Sequence, residues 1–281
     1  MRLFAAARFL AAVLILTLVC GLSGCSGYTP EARSSGASSF GEWNLPKKES
    51  ANQASRPVLA NASPLTLSQL IRKYPNAIKT SGPRVKQIAL TFDDVPDPRF
   101  TPKILDILKK YNVKATFFLV GSRSAKHPAL VRRIVREGHS IGNHSYSHPQ
   151  FRKLNLQGFR KQIKRSEDTI AGIVGIRPRL IRPPYGDITE QQLRWAAANG
   201  YTLVNWNVDS EDWKGISAEQ IKANVLPHAG RGAIILQHGG GGKGSDLRGT
   251  IQALPDIINT LRQRGYTFVT VPQMLHLSQS R

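Results

Sequence analysis

The sequence predicts an α/β fold in which parallel strands curl toward a barrel. Three observations predict it. Seven apolar or β-branched runs recur along the chain, at about 85–92, 115–120, 139–144, 179–184, 201–208, 232–238 and 266–271. Helical periodicity fills most of the gaps, the pattern of parallel strands joined by crossover helices. Polar residues with chemical potential gather where these runs end. Asp93 and Asp94 follow the first, His144 and His148 the third, and Arg182 to Tyr185 close the fourth. Asp209 to Trp213 follow the fifth, and His238 ends the sixth. Periodicity alone does not separate an open doubly wound sheet from a barrel. Strand ends sharing one rim favour the barrel, because that is where barrel enzymes assemble their sites.

Each element has its own signal. Pro64 to Tyr74 reads as one short helix with Leu67, Leu70 and Ile71 on one side. After the first strand, Thr101-Pro102 offers an N-cap and first helical residue, with Ile104, Leu108 and Tyr111 along the buried face. Leu130, Val131, Ile134 and Val135 mark the next helix, which Gly138 closes. Phe159, Ile163 and Ile170 stripe a third. Ser217-Ala218-Glu219-Gln220 resembles a capping box, and Gly200 and Gly265 stand where helices should stop. Pro255 should kink or delay the last long helix.

Upstream of these elements the chain changes character. Arg2 and Arg8 precede an apolar core from Phe9 to Val19, short for a membrane span and suited to a signal peptide. Leu22 to Cys25 (LSGC) resembles the lipobox of bacterial lipoproteins, in which the cysteine is lipidated. A plain secretory leader, or a buried helix, is the alternative. Ser26 to about Ser63 is rich in Ser, Ala, Gly, Pro and Asn and reads as a flexible tether. The expected organisation is a leader over 1–24, a tether and short N-terminal segment over 25–84, and a catalytic domain over 85–275. The only cysteines are Cys20 and Cys25, so a lipidated product has no thiol left for a disulfide and its fold rests on its core. Lys and Arg number 39 against 18 acidic residues, a net charge of +21 that loss of the leader lowers by only two. Export argues against nucleic acid as partner. The basic balance then suits cell-wall polyanions or anionic lipid, or is a solvated surface.

The strand-end residues suggest metal chemistry. His144 and His148, in HSYSH, are spaced i, i+4, and on one helical turn both rings project to the same side. With a carboxylate on the same rim they form a His₂Asp set suited to zinc or another first-row divalent ion. The adjacent Asp93 and Asp94 then divide the work: on an extended segment they point different ways, one to the metal and one to the water bound to it. Arg182, in RPPYG, could pair with the base carboxylate, and the Tyr185 N–H could meet an oxyanion. His238 suits a general acid, with the acids of DSEDW to orient it and Trp213 to wall a small pocket. The glycine run His238 to Asp246 is not a phosphate loop, since Gly244 stands after Lys243 where Ser or Thr is needed.

TFDD, HSYSH, RPPYG, DSEDW and LQH, in this order, resemble the five motifs of the polysaccharide deacetylase (NodB-homology) family, carbohydrate esterase family four. The resemblance spans about Val85 to Val271. It implies a distorted (β/α)₇ barrel and metal-dependent removal of acetyl groups from N-acetylglucosamine polymers. By motif position it implies Asp93 as catalytic base and Asp94, His144 and His148 as metal ligands. Arg182 would hold the base, Tyr185 would supply the oxyanion N–H, and His238 would be the acid tuned by Asp212. Trp213 and Leu236 would line the acetyl methyl pocket. One position departs from the family, which usually has glycine where Val95 stands; had that glycine used positive φ, valine would strain the loop beside the metal. The expectation is therefore a zinc-type hydrolase, monomeric and lipid-anchored outside the cytoplasm, or secreted if the lipobox is unused. Its substrate would be peptidoglycan first and chitin oligosaccharides next. O-acetyl esterase activity, or a silent glycan-binding module, is the alternative.

Overall fold

Strand β2 (Gln87–Val95) is the longest of nine among the described residues and sits where both sides of the sheet meet it. The structure is a computed structural model that describes residues 64–281; the expected leader, Cys25 and the expected tether up to residue 63 lie outside the described residues. The other strands are β1 (Ile78–Lys79), β3 (Thr116–Leu119), β4 (Ser140–Asn143), β5 (Leu180–Ile181), β6 (Thr202–Val204), β7 (Val208–Asp209), β8 (Ala233–His238) and β9 (Thr267–Phe268). All named pairs are parallel, in the order β1-β6-β5-β4-β3-β2-β8-β7, with β9 also against β2.

Seven strands were expected, and the fifth proves to be two. β6 pairs with β5, whereas β7 pairs with β8, and both belong to one stretch of chain, 202–209. This stretch links the two ends of the curled sheet, so the fold is a distorted (β/α)₇ barrel. The break at Asn205 to Asn207 has a physical cause. The carbonyls of Val204 and Asn205 accept hydrogen bonds from Arg182 inside the barrel, at 3.0 and 3.1 Å, instead of from a neighbouring strand.

Strand periodicity sorts the core into layers. Ile88, Leu90 and Phe92 of β2 face the helices, while Ala89 joins Phe118, Leu180, Val204 and Ile234 inside the barrel. Val271 and Met274, from α9 (Val271–Leu275), belong to the same inner cluster. Continuing at every second residue, Thr91 and Asp93 climb the interior toward the rim.

The helices follow the expected phases with three corrections. α2 (Thr101–Lys110) has Phe100 as its N-cap, and Pro102 sits one residue further in than expected. Thr101 is drawn into the helix because its hydroxyl accepts from Asp97 N and donates to Gly239 O, both at 2.8 Å. α8 (Arg248–Gln263) neither starts late nor stops at Pro255, since Leu254, Ile257, Ile258 and Leu261 bury one continuous face. HSYSH is not helical at all. It is a loop in which Ser145 and His148 adopt left-handed backbone (φ +66° and +58°).

The remaining helices are α3 (Gly121–Lys126), α4 (Pro128–Arg136), α5 (Leu156–Val174), α6 (Glu190–Ala198) and α7 (Ala218–Val225). α1 (Leu67–Lys73) carries a complete capping box at Thr66 and buries Leu70. With β1, it brings residues ahead of the first predicted strand into the fold. No helix among the described residues is long and apolar enough to cross a membrane.

Candidate active site

The site is built upward from the barrel interior. Arg182 leaves β5 fully buried, with its guanidinium over the Phe118 ring at 4.1 Å. Such a charge survives burial only when its donors are used. Nη1 donates to Thr91 Oγ1 and Asp93 Oδ1, both at 2.8 Å, and Nε and Nη2 take the two carbonyls described above. Burial raises the Asp93 carboxyl above its ordinary value, with Arg182 and His238 pulling the other way. Oδ1 is thus committed to Arg182, while Oδ2 lies 3.7 Å from His144 Nε2 and faces the rim.

One residue on, the chain turns. Asp94 adopts φ +64°, and the pairing of β2 with β3 shifts register between Phe92 and Val95. The two carboxylates do part company, but through this bulge rather than through simple strand alternation. Asp94 Oδ1 lies 3.3 Å from His148 Nε2 and 3.8 Å from His144 Nε2. The loop makes this possible: Ser145 Oγ accepts from His148 N at 2.9 Å, and Gln162 Oε1 accepts from the N–H groups of Tyr146 and Ser147.

These three side chains fit a cation. Their ligand atoms all lie within 4.8 Å of one another. Asp94 Oδ1 is buried with no hydrogen-bond partner, an arrangement that costs stability unless something positive completes it. His144 Nδ1 is 2.8 Å from Arg182 O, so a donor there leaves Nε2 as a lone pair facing Asp94. Burial, followed by the neighbouring His148, lowers the His144 pKa to about 3 and keeps the ring neutral, as a ligand must be.

Beside Asp93 at the same opening stands His238, its register partner on the neighbouring β8. Asp212 Oδ1 is 2.7 Å from His238 Nδ1, and Asp212 Oδ2 accepts from His238 N and Thr250 Oγ1, both at 2.8 Å. Burial alone would discharge this histidine; the Asp212 carboxylate outweighs it and raises the pKa to about 9. A base-type carboxylate held by arginine and an acid-type imidazole held by aspartate therefore stand on neighbouring strands at one rim.

The rim encloses a cleft of about 590 Å³ lined by Asp93, Asp94, His144, His148, Tyr185, Trp213, Leu236 and His238. Arg182 and Asp212 stand behind it, with almost no exposure. Every residue singled out within the described part of the chain is thus in this cleft or directly behind it. Tyr185 (φ +60°) is exposed and meets His148 edge-on with ring centroids 5.0 Å apart; Trp213 is also exposed, while Leu236 is buried.

Val95 is resolved differently from the expectation. Positive φ belongs to Asp94, and Val95 is not among the left-handed residues. Its side chain is buried in the outer core, where Cγ1 fills the space a Cβ on Gly239 would need. Three contributors escaped the motif reading. Thr91 looks like an ordinary strand residue, Asn205 like part of one, and Thr250 lies inside a helical pattern. Only the fold brings them behind Arg182, the RPPYG turn and Asp212.

Comparison with known proteins points to one family. The family model described as polysaccharide deacetylase matches residues 80–204. A peptidoglycan-N-acetylglucosamine deacetylase of Bacillus cereus is 49% identical over 212 residues, covering 75% of this chain and 76% of the relative. A peptidoglycan-N-acetylmuramic acid deacetylase of Bacillus subtilis is 42% identical over 203 residues, covering 72% of this chain; the match spans 42% of that longer protein. The crystal structure of a peptidoglycan N-acetylglucosamine deacetylase bound to an N-hydroxybenzamide aligns with a TM-score of 0.74 and 48% identity, over 77% of this chain and all of that one.

Proposed function

This chain belongs to the polysaccharide deacetylase family, and from that premise we propose that its cleft removes N-acetyl groups from peptidoglycan, acting first on N-acetylglucosamine. The observation that carries the reading is the register pairing of Asp93 with His238 at the rim, the carboxylate held in place by Arg182 and the imidazole by Asp212. The names of the relatives supply the polymer.

Asp94, His144 and His148 would hold a divalent cation, zinc by the nitrogen and oxygen donor set. Such an ion supplies Lewis acidity, polarising the acetamide carbonyl and lowering the pKa of water from ~15.7 to about 7. Asp93 Oδ2 takes the proton of the attacking water while Arg182 keeps the carboxylate in place. Water oxygen bonds to the carbonyl carbon, and the Tyr185 N–H donates to the resulting oxyanion. His238, charged at neutral pH and held through Nδ1, gives its Nε2 proton to the nitrogen as the C–N bond breaks. Acetate and a free amine result. Trp213 and Leu236 wall the space for the acetyl methyl group.

The leader and LSGC support an extracytoplasmic enzyme anchored through lipidated Cys25, a place that suits a wall polymer. Cys25→Ala should then move the protein from the membrane fraction to the medium or supernatant. The activity itself is tested by acetate release from N-acetylglucosamine oligomers and from peptidoglycan, with and without chelator. Chelator-sensitive release from either supports the reading; no release from any acetylated glycan by metal-loaded protein removes it. Release only from O-acetylated xylan would make the enzyme an esterase instead.

A further inference from the structure

Arg123 is the cation in the cleft that the reaction leaves unused. It lines the opening with Asp94, about a quarter exposed, and Nη1 lies near Asp97 Oδ2 at 3.4 Å. Asp97 scarcely needs it. Arg99 already grips that carboxylate through Nε (3.0 Å), Nη2 (2.7 Å) and its backbone N (2.9 Å), and Gly241 N adds a fourth donor at 3.3 Å. Among the described residues this one long contact is the sole hydrogen bond of the Arg123 side chain, which lines the cleft with most of its five N–H donors unpaired.

The position is built rather than incidental. α3 starts on the loop that carries the histidines: Gly121 N donates to Ser145 O at 2.9 Å and Ser122 N to Tyr146 O at 2.8 Å. A Cβ on Gly121 would press on the Ser166 backbone, so this turn lies close against α5. A Cβ on Gly240 would overlap Asp94 O and come within 2.9 Å of Arg123 Nη1, which places the guanidinium beside the backbone of Asp94.

A half-buried guanidinium with free donors fits a carboxylate better than any neutral sugar group, because the fork can be met in two places at once. Chitin-type chains carry no carboxylate. In peptidoglycan each N-acetylglucosamine neighbours a sugar with a lactyl group, whose acid is free or extended into a peptide with its own carboxylates. We infer that Arg123 selects anionic glycans, by binding a carboxylate on the sugar next to the one being deacetylated. The inference rests on the deacetylase reading above and names what that site prefers.

The test compares wild type with Arg123→Lys and Arg123→Gln on three substrates. These are a neutral N-acetylglucosamine oligomer, a wall oligosaccharide with free lactyl acids, and the same oligosaccharide bearing peptide. The readout is the ratio of kcat/KM on an anionic substrate to that on the neutral one. Arg123→Gln should lower this ratio at least tenfold, chiefly through KM, with Arg123→Lys between it and wild type; added salt should shrink the wild-type ratio. Loss on the free lactyl substrate assigns the lactyl acid, and loss only on the peptide-bearing one assigns a peptide carboxylate. An unchanged ratio in Arg123→Gln, including equal loss on all three substrates, overturns the inference. Wild type inactive on all three would instead remove the deacetylase reading beneath it.

Discussion

Arg182 Nη1 lies 2.8 Å from Asp93 Oδ1, and both side chains are buried, Arg182 completely. The same guanidinium takes the carbonyls of Val204 and Asn205, so one residue breaks a strand and holds the proposed base. Removing one partner of a buried pair strands the other as an uncompensated charge, a loss of about 3–5 kcal/mol. Arg182→Met should therefore lower unfolding free energy in urea by that amount and abolish acetate release. A variant as stable as wild type would show that the pair is not the structural keystone described here.

The two aspartates should separate cleanly. Asp93→Asn should keep its bound metal, measured by elemental analysis, while acetate release falls about 10²–10⁴-fold, the usual weight of a general base. Asp94→Asn, which alters the buried oxygen that lacks a partner, should lose the metal. The reverse pattern would exchange the two roles.

His238 sets the alkaline limit. Its folded pKa of about 9 exceeds the ordinary 6.5, so the protonated form is favoured in the folded protein. The stabilisation this gives is complete below about pH 6.5 and is lost as pH rises through about 9. The proposed acid follows the same curve, and kcat/KM should fall above about pH 9. Asp212→Asn removes the charge that raises it and should move that limb toward neutral pH. An alkaline limb that stays in place in Asp212→Asn would mean another group is titrating.

Much of this site was visible in the chain because strand periodicity puts alternate residues on one face. Asp93 and His238 end long apolar runs, so placing the strands placed them too. HSYSH was found by its residue types, yet its shape was not. A helical turn and a loop with two left-handed residues both bring i and i+4 together, and spacing alone does not tell them apart. The division of 201–208 into two strands was hidden for a different reason. It depends on Arg182, more than twenty positions away, which competes for carbonyls that a strand would otherwise use. Thr250 was hidden likewise, since nothing in the local pattern of α8 separates a threonine facing Asp212 from one facing solvent.

That threonine has a measurable task. Thr250 Oγ1 donates to Asp212 Oδ2 and so draws charge from the carboxylate that holds His238. Thr250→Val keeps the volume and removes the donor, at a cost of about 1–3 kcal/mol for a buried acceptor left short. Negative charge then concentrates on Asp212, and the alkaline limb of kcat/KM should move to higher pH, with Thr250→Ser restoring it. A loss of stability with no movement of the limb would reduce Thr250 to a packing residue.

Val95 yields the test that separates backbone strain from packing. Were its position one that demanded positive φ, Val95→Gly would relieve strain and stabilise the protein. The structure instead assigns the left-handed conformation to Asp94 and buries Val95 against the space beside Gly239. Glycine there removes buried methyl groups and adds chain freedom to the unfolded state, and both effects have the same sign. Val95→Gly should destabilise the fold by roughly 2–3 kcal/mol in urea unfolding. Acetate release measured well below the new melting temperature should change little, because no polar group of the cleft is carried by this side chain. A gain in stability would return the strain to Val95 and reopen the geometry of the loop beside Asp94.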